Sequence, residues 1–260
     1  MRNTTMTRPT KKCLAEELEG LLLRINDGKP TADIRKQANR LITAITPQDI
    51  AHVEDKLMRE GLSAQRVQQL SASFILMGLM EGNKSNLRER LGERHVLKKV
   101  LAEHDMLQCF IGDLEEVALR ISQADFLNDT SGEIRRLEHI AEHVGAMEEH
   151  IDREEDVIFP ALRLQGWDSL CRSVENDHVY IRSGIGEMTK LVGVFGEISF
   201  GVFKDRLLSI VKTLCPILRE HLFYEDHILY PVAVAMIDNP PFWDRMHQVC
   251  DEIDYCGIHL

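Results

Sequence analysis

Two segments of the chain repeat one pattern of potential metal ligands. HIDREEDVIFP occupies positions 150–160 and HLFYEDHILYP occupies positions 221–231, and both read His-x-x-x-Glu-acid-x-x-aliphatic-aromatic-Pro. Positions i and i+4 of an α-helix lie on one face, so each segment can direct an imidazole and a carboxylate toward one point. A single such pair is common by chance and is usually part of a solvated face. Its duplication favours a metal site.

Each His–Glu pair also has a histidine upstream at a similar distance. His104 precedes His150 by 46 residues, and His178 precedes His221 by 43. At a rise of ~1.5 Å per residue, about 20 residues up one helix and about 20 down the next return the chain to the same height. Two such hairpins bring together four imidazoles and two carboxylates, a set that suits two metal ions with bridging carboxylates. The predicted metal ligands are His104, His150, Glu154, His178, His221 and Glu225.

The types of these side chains favour iron. Imidazole nitrogens combined with carboxylate oxygens suit iron, with manganese or zinc as alternatives. A structural zinc ion takes four ligands and prefers thiolates, whereas this set has six ligands and no nearby cysteine pair. Ferritin-like bundles use more carboxylates than histidines, and here the ratio is reversed.

The surrounding sequence predicts an all-α protein that can position these ligands. Apolar residues recur at spacings of three and four, and signals for strands are scarce. Long helices are predicted at about 93–126, 132–164, 167–192 and 202–230. Four long helices with short connections, including NDTSG before the second, are typical of an antiparallel four-helix bundle.

Three segments are expected along the chain. Residues 1–85 form a small N-terminal helical domain with three or four short helices, and Thr46-Pro47 with Asp49 predicts the start of one of them. The bundle covers residues 93–235, after a linker at EGNKSN (81–86). Residues 236–260 form a C-terminal helical tail.

Charge and cysteine content indicate a cytoplasmic protein. The formal net charge of −11 argues against nucleic acid or an anionic membrane as the main partner. No run approaches the roughly 18 apolar residues of a membrane span, and no apolar region follows MRNTTMTRPTKK, so no secretory signal is expected. The 6 cysteines are scattered without a CxxC motif, as expected of reduced cytosolic thiols.

The ligand motifs resemble those of a hemerythrin-like (HHE) domain. The resemblance covers roughly residues 93–235 and includes EHDML (103–107), HIDREEDVIFPAL, DHVYIR (177–182) and REHLFYEDHILYP. It implies a non-haem di-iron centre inside a four-helix bundle. The centre would contain two iron ions, as Fe²⁺ or Fe³⁺, which an oxo or hydroxo group can bridge. It also implies that the six predicted side chains are the ligands and that the two glutamates are bridges.

One position departs from the oxygen-carrying members of that family. They have a second histidine four residues after the ligand of the third helix, where this chain has Arg182. The site therefore more closely resembles the six-ligand sites of repair-of-iron-centres proteins and of an iron-sensing ubiquitin-ligase subunit. The N-terminal segment resembles a helical domain of unknown function that often precedes such bundles. LSASF (70–74) stands where that domain has Leu-Cys-Asp-Val-His, which argues against a metal, thiol or haem role there.

Other polar residues near the ligands have either a supporting or a structural role. Glu155 and Asp226 each follow a proposed bridge, and we expect them to face solvent or hydrogen bond rather than bind metal. On an unbroken helix, His139 and His143 would point within about 20° of the direction of His150. We expect them to be polar residues near the end of the bundle rather than the lining of a channel to the metals. Flanking acids that can orient ligand histidines are Glu103, Asp105 and Asp177. Tyrosines that could approach the metals, but more often pack the bundle, are Tyr180, Tyr224 and Tyr230.

Three functions fit this sequence. The first is a di-iron protein that binds or reacts with O2, NO or peroxide, or supplies iron, in iron-centre repair or oxidative and nitrosative stress. The second is an iron- or redox-responsive sensor without turnover, whose N-terminal helices report to a protein partner. In the third, the metals only stabilise the bundle. Catalytic turnover and oligomeric state stay open at this stage.

Overall fold

The structure, a computed structural model, describes residues 11–28, 32–79, 87–128, 131–237 and 239–253. These residues form helices and short connections, and no strand occurs among them. The predicted all-α class is therefore confirmed. The predicted linker at 81–86 and two residues of the NDTSG turn (129–130) lie outside the described residues.

The N-terminal region is helical, and its helix boundaries follow local signals in the sequence. Its helices are α1 (Lys11–Asp27), α2 (Ala32–Ile42), α3 (Pro47–Arg59) and α4 (Ala64–Leu79). At the start of α3, the Thr46 hydroxyl accepts from the Asp49 N–H and the Asp49 carboxylate accepts from the Thr46 N–H, as the sequence predicted. Gly61 follows α3 with a φ of 106°, a conformation that a glycine adopts without strain.

Four rods form an antiparallel bundle in which each rod packs on two neighbours. After the short α5 (Leu87–Arg90), rod 1 is α6 (Val96–Gln123) and rod 3 is α10 (Asp168–Gly193). Rod 2 consists of α7 (Gly132–Gly145), α8 (Met147–Arg153), π1 (Glu154–Ile158) and α9 (Phe159–Leu164). Rod 4 consists of α11 (Phe200–Tyr224), π2 (Glu225–Leu229) and α12 (Tyr230–Met236). Rods 1 to 3 agree with the predicted long helices to within a few residues, although rod 2 is interrupted at residue 146, and rod 4 continues past its predicted end at about 230 to Met236.

Rods 2 and 4 each contain a π-helical turn that begins at a predicted bridging glutamate, Glu154 or Glu225. The backbone N–H five residues after each glutamate donates to that glutamate's carbonyl oxygen. Pro160 and Pro231 are the second residues after these segments, and a proline inside a helix normally ends or kinks it. Both rods instead continue, because the wider π turn before each proline accommodates the ring and its missing N–H. Single π turns in α-helices are frequent at functional sites.

Two apolar clusters stabilise the fold, and the predicted ligands lie between them. One fills the half of the bundle that includes Leu107, Ile151 and Leu222. The other joins the opposite half of the bundle to the N-terminal helices and to α13 (Pro240–Ile253). The N-terminal helices therefore bury their apolar faces against the bundle. Among the described helices, none is both long and apolar enough to cross a bilayer.

Candidate metal centre

All four rods contribute side chains to one buried cluster at the middle of the bundle. Rod 1 supplies His104, rod 2 His150 and Glu154, rod 3 His178, and rod 4 His221 and Glu225. Each of these six side chains is at most 1% exposed. Buried carboxylates and imidazoles are costly unless they are paired or bind a cation, so their convergence here needs a chemical reason.

The cluster divides into two groups that share one carboxylate. One group consists of Glu154, His178, His221 and Glu225, and the other of His104, His150 and Glu225. Within each group, one ligand atom of each residue lies within 4.8 Å of the others. The two oxygens of Glu225 face different groups: Oε1 lies 2.7 Å from His221 Nε2, and Oε2 lies 3.3 Å from His104 Nε2. Glu225 therefore contacts both groups.

Several atoms of this cluster are buried without a hydrogen bond among the described residues. They are Glu154 Oε2, His178 Nε2, His221 Nε2, Glu225 Oε1 and Glu225 Oε2. Buried polar atoms in native proteins almost always have a partner, so each exception calls for an explanation such as an ion. These nitrogens and oxygens point at one another rather than at protein donors. The residues therefore fit a bound cation.

The ring nitrogens that face away from the cluster are held by acids. The bonds run from His104 Nδ1 to Asp226 (2.7 Å), from His150 Nδ1 to Glu103 (3.0 Å) and from His178 Nδ1 to Glu155 (2.7 Å). Because ionised carboxylates only accept, each Nδ1 carries a proton and donates, so Nε2 is the ring nitrogen that can bind a metal once its own proton is released. The predicted hydrogen-bonding role of Glu155 and Asp226 is thus confirmed.

Two arginines extend these contacts. Arg153, itself 1% exposed, donates to Glu103. Burial alone would raise the pKa of Glu103, but the bonds from His150 and the Arg153 charge lower it. Arg182 donates to Glu155, and the bonds from His178 and Arg182 lower the pKa of Glu155 to about 2. The residue that replaces a histidine of oxygen carriers therefore fixes the acid that orients His178.

The carboxylates make the cluster favour positive charge. Burial lowers the pKa of His150 and His178, but the surrounding carboxylates raise them to about 10 and about 11. The Glu225 carboxyl has its pKa held well below the usual range by the three histidines around it, although burial opposes this. A site that holds protons this strongly in the absence of a cation also favours a cation in their place, with release of protons on binding.

Tyr230 lies inside the cluster, where the sequence favoured simple packing. Its hydroxyl donates to Glu154 Oε1 at 2.6 Å and lies 3.3 Å from His104 Nε2 and 3.5 Å from His150 Nε2. Burial and the nearby carboxylates raise the pKa of Tyr230 well above its usual value, so the phenol keeps its proton. On a regular helix, Tyr230 would point about 140° away from Glu225. The extra residue of π2 reduces this angle to about 40°, which turns the side chain inward.

Tyr224 and Tyr180 have different surroundings. Tyr224 is buried and its hydroxyl donates to Glu54 of α3, so it links rod 4 to the N-terminal helices. Tyr180 is 62% exposed. No signal in the sequence selects Glu54, a buried acid of the N-terminal region whose pKa is raised to about 7 by burial.

His139 and His143 lie outside the cluster. His139 is exposed, and His143 stacks on Phe110 with the ring centroids 4.6 Å apart. The angle predicted between these residues and His150 assumed an unbroken helix. The interruption at residue 146, between α7 and α8, changes that angle.

A four-helix bundle with a buried cluster of four histidines and two glutamates defines a class of cation-binding helical proteins. Comparison with protein families agrees: residues 93–239 match the hemerythrin HHE cation binding domain. Because this match covers more than half of the chain, the protein belongs to the hemerythrin HHE family. Residues 18–72 match a family of unknown function (DUF438), as the N-terminal resemblance suggested. No curated protein matches the chain.

Proposed function

We propose that the protein holds two iron ions in this cluster and uses them to bind or react with O2, NO or peroxide, or to supply iron. The observation that carries the proposal is the convergence, at the centre of an HHE bundle, of buried histidine and glutamate atoms that have no hydrogen-bond partner in the described part of the chain. Glu225 is proposed as a bridge because its two oxygens face the two groups. Glu154 is proposed as the second bridge.

The ligand sets of the two proposed ions differ. One ion would be held by Glu154, His178, His221 and Glu225, and the other by His104, His150 and Glu225. A pair of iron ions held by imidazoles and carboxylates supplies one-electron chemistry toward small oxygen or nitrogen species. Scattered cysteines without metal or disulfide spacing suit a cytoplasmic protein.

Tyr230 gives the two sides of the cluster different chemistry. Its O–H lies against the His104 and His150 nitrogens while it donates to Glu154. When its single O–H turns from Glu154, it can instead donate a hydrogen bond to a small molecule that enters beside those histidines. The surrounding apolar core excludes bulk water, which strengthens such a bond.

Elemental analysis tests the metal part of this proposal. Purified protein should contain about two irons per chain, as other two-metal sites do. Glu154→Ala and His178→Ala should each lose at least about half of this iron, because each removes a ligand that no neighbour replaces. His143→Ala is the matched control, since it removes a histidine outside the cluster, and it should keep the full content. If both ligand variants retain the full iron content, the proposed ligand set is wrong.

A sensor without turnover is the second candidate, and a contact between the two parts of the chain favours it. Tyr224, which donates to Glu54 of α3, directly precedes Glu225, and π2 packs on α3. A change in the bonding of Glu225 can therefore alter the N-terminal helices, which would report it to a protein partner. Hydrogen exchange of α3 (Pro47–Arg59) should then differ between iron-loaded and iron-free protein.

Anaerobic mixing separates the two candidates. Reduced protein is mixed with O2, NO or peroxide, and product is counted per chain in the presence of a reductant. Repeated turnover favours the reactive di-iron protein. A single binding event together with a change in exchange of α3 favours the sensor.

A further inference from the structure

A pair of histidines on rod 2 lies at the surface of the bundle, apart from the metal centre. His139 and His143 belong to α7 and are one helical turn apart. His139 is exposed and His143 is half-buried, so solvent reaches the pair. Neither residue belongs to the buried cluster. The centre described above therefore gives these two imidazoles no role.

The two rings are held close together. Their centroids lie 4.3 Å apart, and His143 stacks on Phe110 of rod 1 with the ring planes 10° apart. With metal–nitrogen bonds of about 2.1 Å and a nitrogen–metal–nitrogen angle of about 90–110°, two imidazoles on one ion have centroids about 4.6–5.3 Å apart. The observed separation is slightly shorter than this range. A small rotation of the exposed His139 side chain is enough to reach it.

The nitrogens of this pair are not engaged by the protein. Among the described residues, neither ring takes part in a hydrogen bond or an ion pair. In the buried cluster, by contrast, the Nδ1 atoms of His104, His150 and His178 are each held by an acid. The lone pair of a neutral imidazole at the surface is therefore available to a ligand from solvent.

The sequence and the helix around the pair suit a zinc ion. Residues 139–143 read HIAEH. The order His-x-x-Glu-His also occurs in one class of zinc enzymes, in which the two histidines hold the ion. Glu142 is exposed within one turn of His139, and its charge attracts cations. His143 lies in the last turn of α7, where the helix dipole favours positive charge.

The number of protein ligands sets the strength of such a site. In the described part of the chain, no third histidine, cysteine or acid forms a close group of three with this pair. Water would fill the remaining positions. Structural zinc sites have four protein ligands, so two imidazoles should bind Zn²⁺ more weakly, with a Kd on the order of 10–100 µM. Cu²⁺ should bind more tightly, and Fe²⁺ lies near the weak end of the same order.

We propose that His139 and His143 form a second metal site, which binds one Zn²⁺ ion at the surface of the bundle. The site is separate from the buried centre and does not rest on the di-iron proposal. Because the ion joins two turns of α7 in the folded state, its binding also stabilises this helix next to the interruption at residue 146.

Equilibrium dialysis against Zn²⁺ followed by elemental analysis tests the proposal. At free Zn²⁺ about tenfold above the expected Kd, the parent should hold about one Zn²⁺ more per chain than His139→Gln or His143→Gln. The iron contents of the three proteins should be equal. His52→Gln is the control, because it removes an exposed histidine that has no second histidine one turn away, and it should bind as much Zn²⁺ as the parent. Equal Zn²⁺ contents in the parent and both variants of the pair would overturn the proposal.

Cu²⁺ tests whether the two rings share one ion. Its electron paramagnetic resonance spectrum at this site should show coupling to two imidazole nitrogens, and either single variant should lower the affinity at least about tenfold. Two separate weak sites would instead give two ions in the parent, one in each single variant and none in the double variant. That pattern, or a spectrum without nitrogen coupling, would rule out the shared site.

The Glu154→Ala variant distinguishes this site from the buried centre. It removes a proposed ligand of the centre but leaves α7 unchanged, so it should keep the surface Zn²⁺ with the affinity of the parent. Zn²⁺ should also slow hydrogen exchange of α7 in the parent but not in His143→Gln. If Glu154→Ala loses the ion while His143→Gln keeps it, the ion lies in the centre and the proposal fails.

Discussion

The buried pair of Arg153 and Glu103 gives a prediction about the stability of the centre. Arg153 is 1% exposed and Glu103 is 0% exposed, and Glu103 also accepts from His150 Nδ1. Arg153→Met keeps most of the side-chain volume but removes the arginine charge that compensates the buried carboxylate, which keeps only its bond from His150 among the contacts described above. Breaking a buried ion pair in this way costs about 3–5 kcal/mol. In a chain of this size that corresponds to a fall in Tm on the order of 10 °C.

Urea unfolding of the iron-free protein measures this cost, and a double-mutant cycle identifies its source. Glu103→Gln together with Arg153→Met removes both charges, so the double variant should lose much less stability than the two single changes added together. Arg219→Met is the matched control. Its ion pair with Glu115 also joins two rods, but the side chains are 44% and 43% exposed, so its loss should cost under about 1 kcal/mol.

The same variant should also weaken metal binding. Glu103 holds the ring of His150, and loss of such supporting contacts typically lowers metal affinity by about 10- to 100-fold. Competition with a chelator measures this. The reasoning is refuted if Arg153→Met costs no more than Arg219→Met, or if the losses in the double-mutant cycle simply add.

Two further residues give predictions of their own. Tyr230→Phe removes the donor to Glu154 Oε1 and should destabilise the iron-free protein by about 1.5–3 kcal/mol in urea unfolding, with the iron content unchanged; loss of iron would identify Tyr230 as a ligand instead. Burial raises the pKa of Glu54 from 4.5 to about 7. Between pH 4.5 and pH 7 the folded state therefore keeps a proton that the unfolded state releases, so the free energy of unfolding falls as the pH rises through this range. Glu54→Gln should match the parent near pH 4.5 and exceed it by up to about 3 kcal/mol above pH 7; a constant difference between the two proteins across this range would contradict the assigned cause.

The six cluster residues were predictable because their positions depend on helix geometry alone. His150 with Glu154 and His221 with Glu225 are each four residues apart, and this spacing puts both side chains on one face whatever the helix packs against. The upstream histidines followed from the length of a hairpin. The start of α3 was equally local, since Thr46 and Asp49 hydrogen bond to each other's backbone.

Contacts between rods were harder to predict, because they depend on how the rods are rotated. From the sequence alone, Glu103 and Asp177 were equally good candidates for an acid that orients a histidine ligand. Packing brings Glu103 to 3.0 Å from His150, whereas Asp177 remains 3.7 Å from His221. A cavity lined by Asp177, Glu220 and Gln68 has the same origin, since the wall that contains Gln68 belongs to the N-terminal part of the chain.

By itself, the sequence determined an all-α bundle, the side chains that meet at its centre and the family to which it belongs, because these depend on a period of 3.6 residues and on motifs read in order. Only the tertiary structure decided that Tyr230 enters the centre, that Arg153 is buried behind Glu103 and that Glu54 meets Tyr224. The physical reasons are the π turns, the rotation of the rods against one another and the packing of the N-terminal helices. One extra residue in a turn rotates every later side chain by about 100°, and the partner of a buried charge is fixed only when the helices have packed.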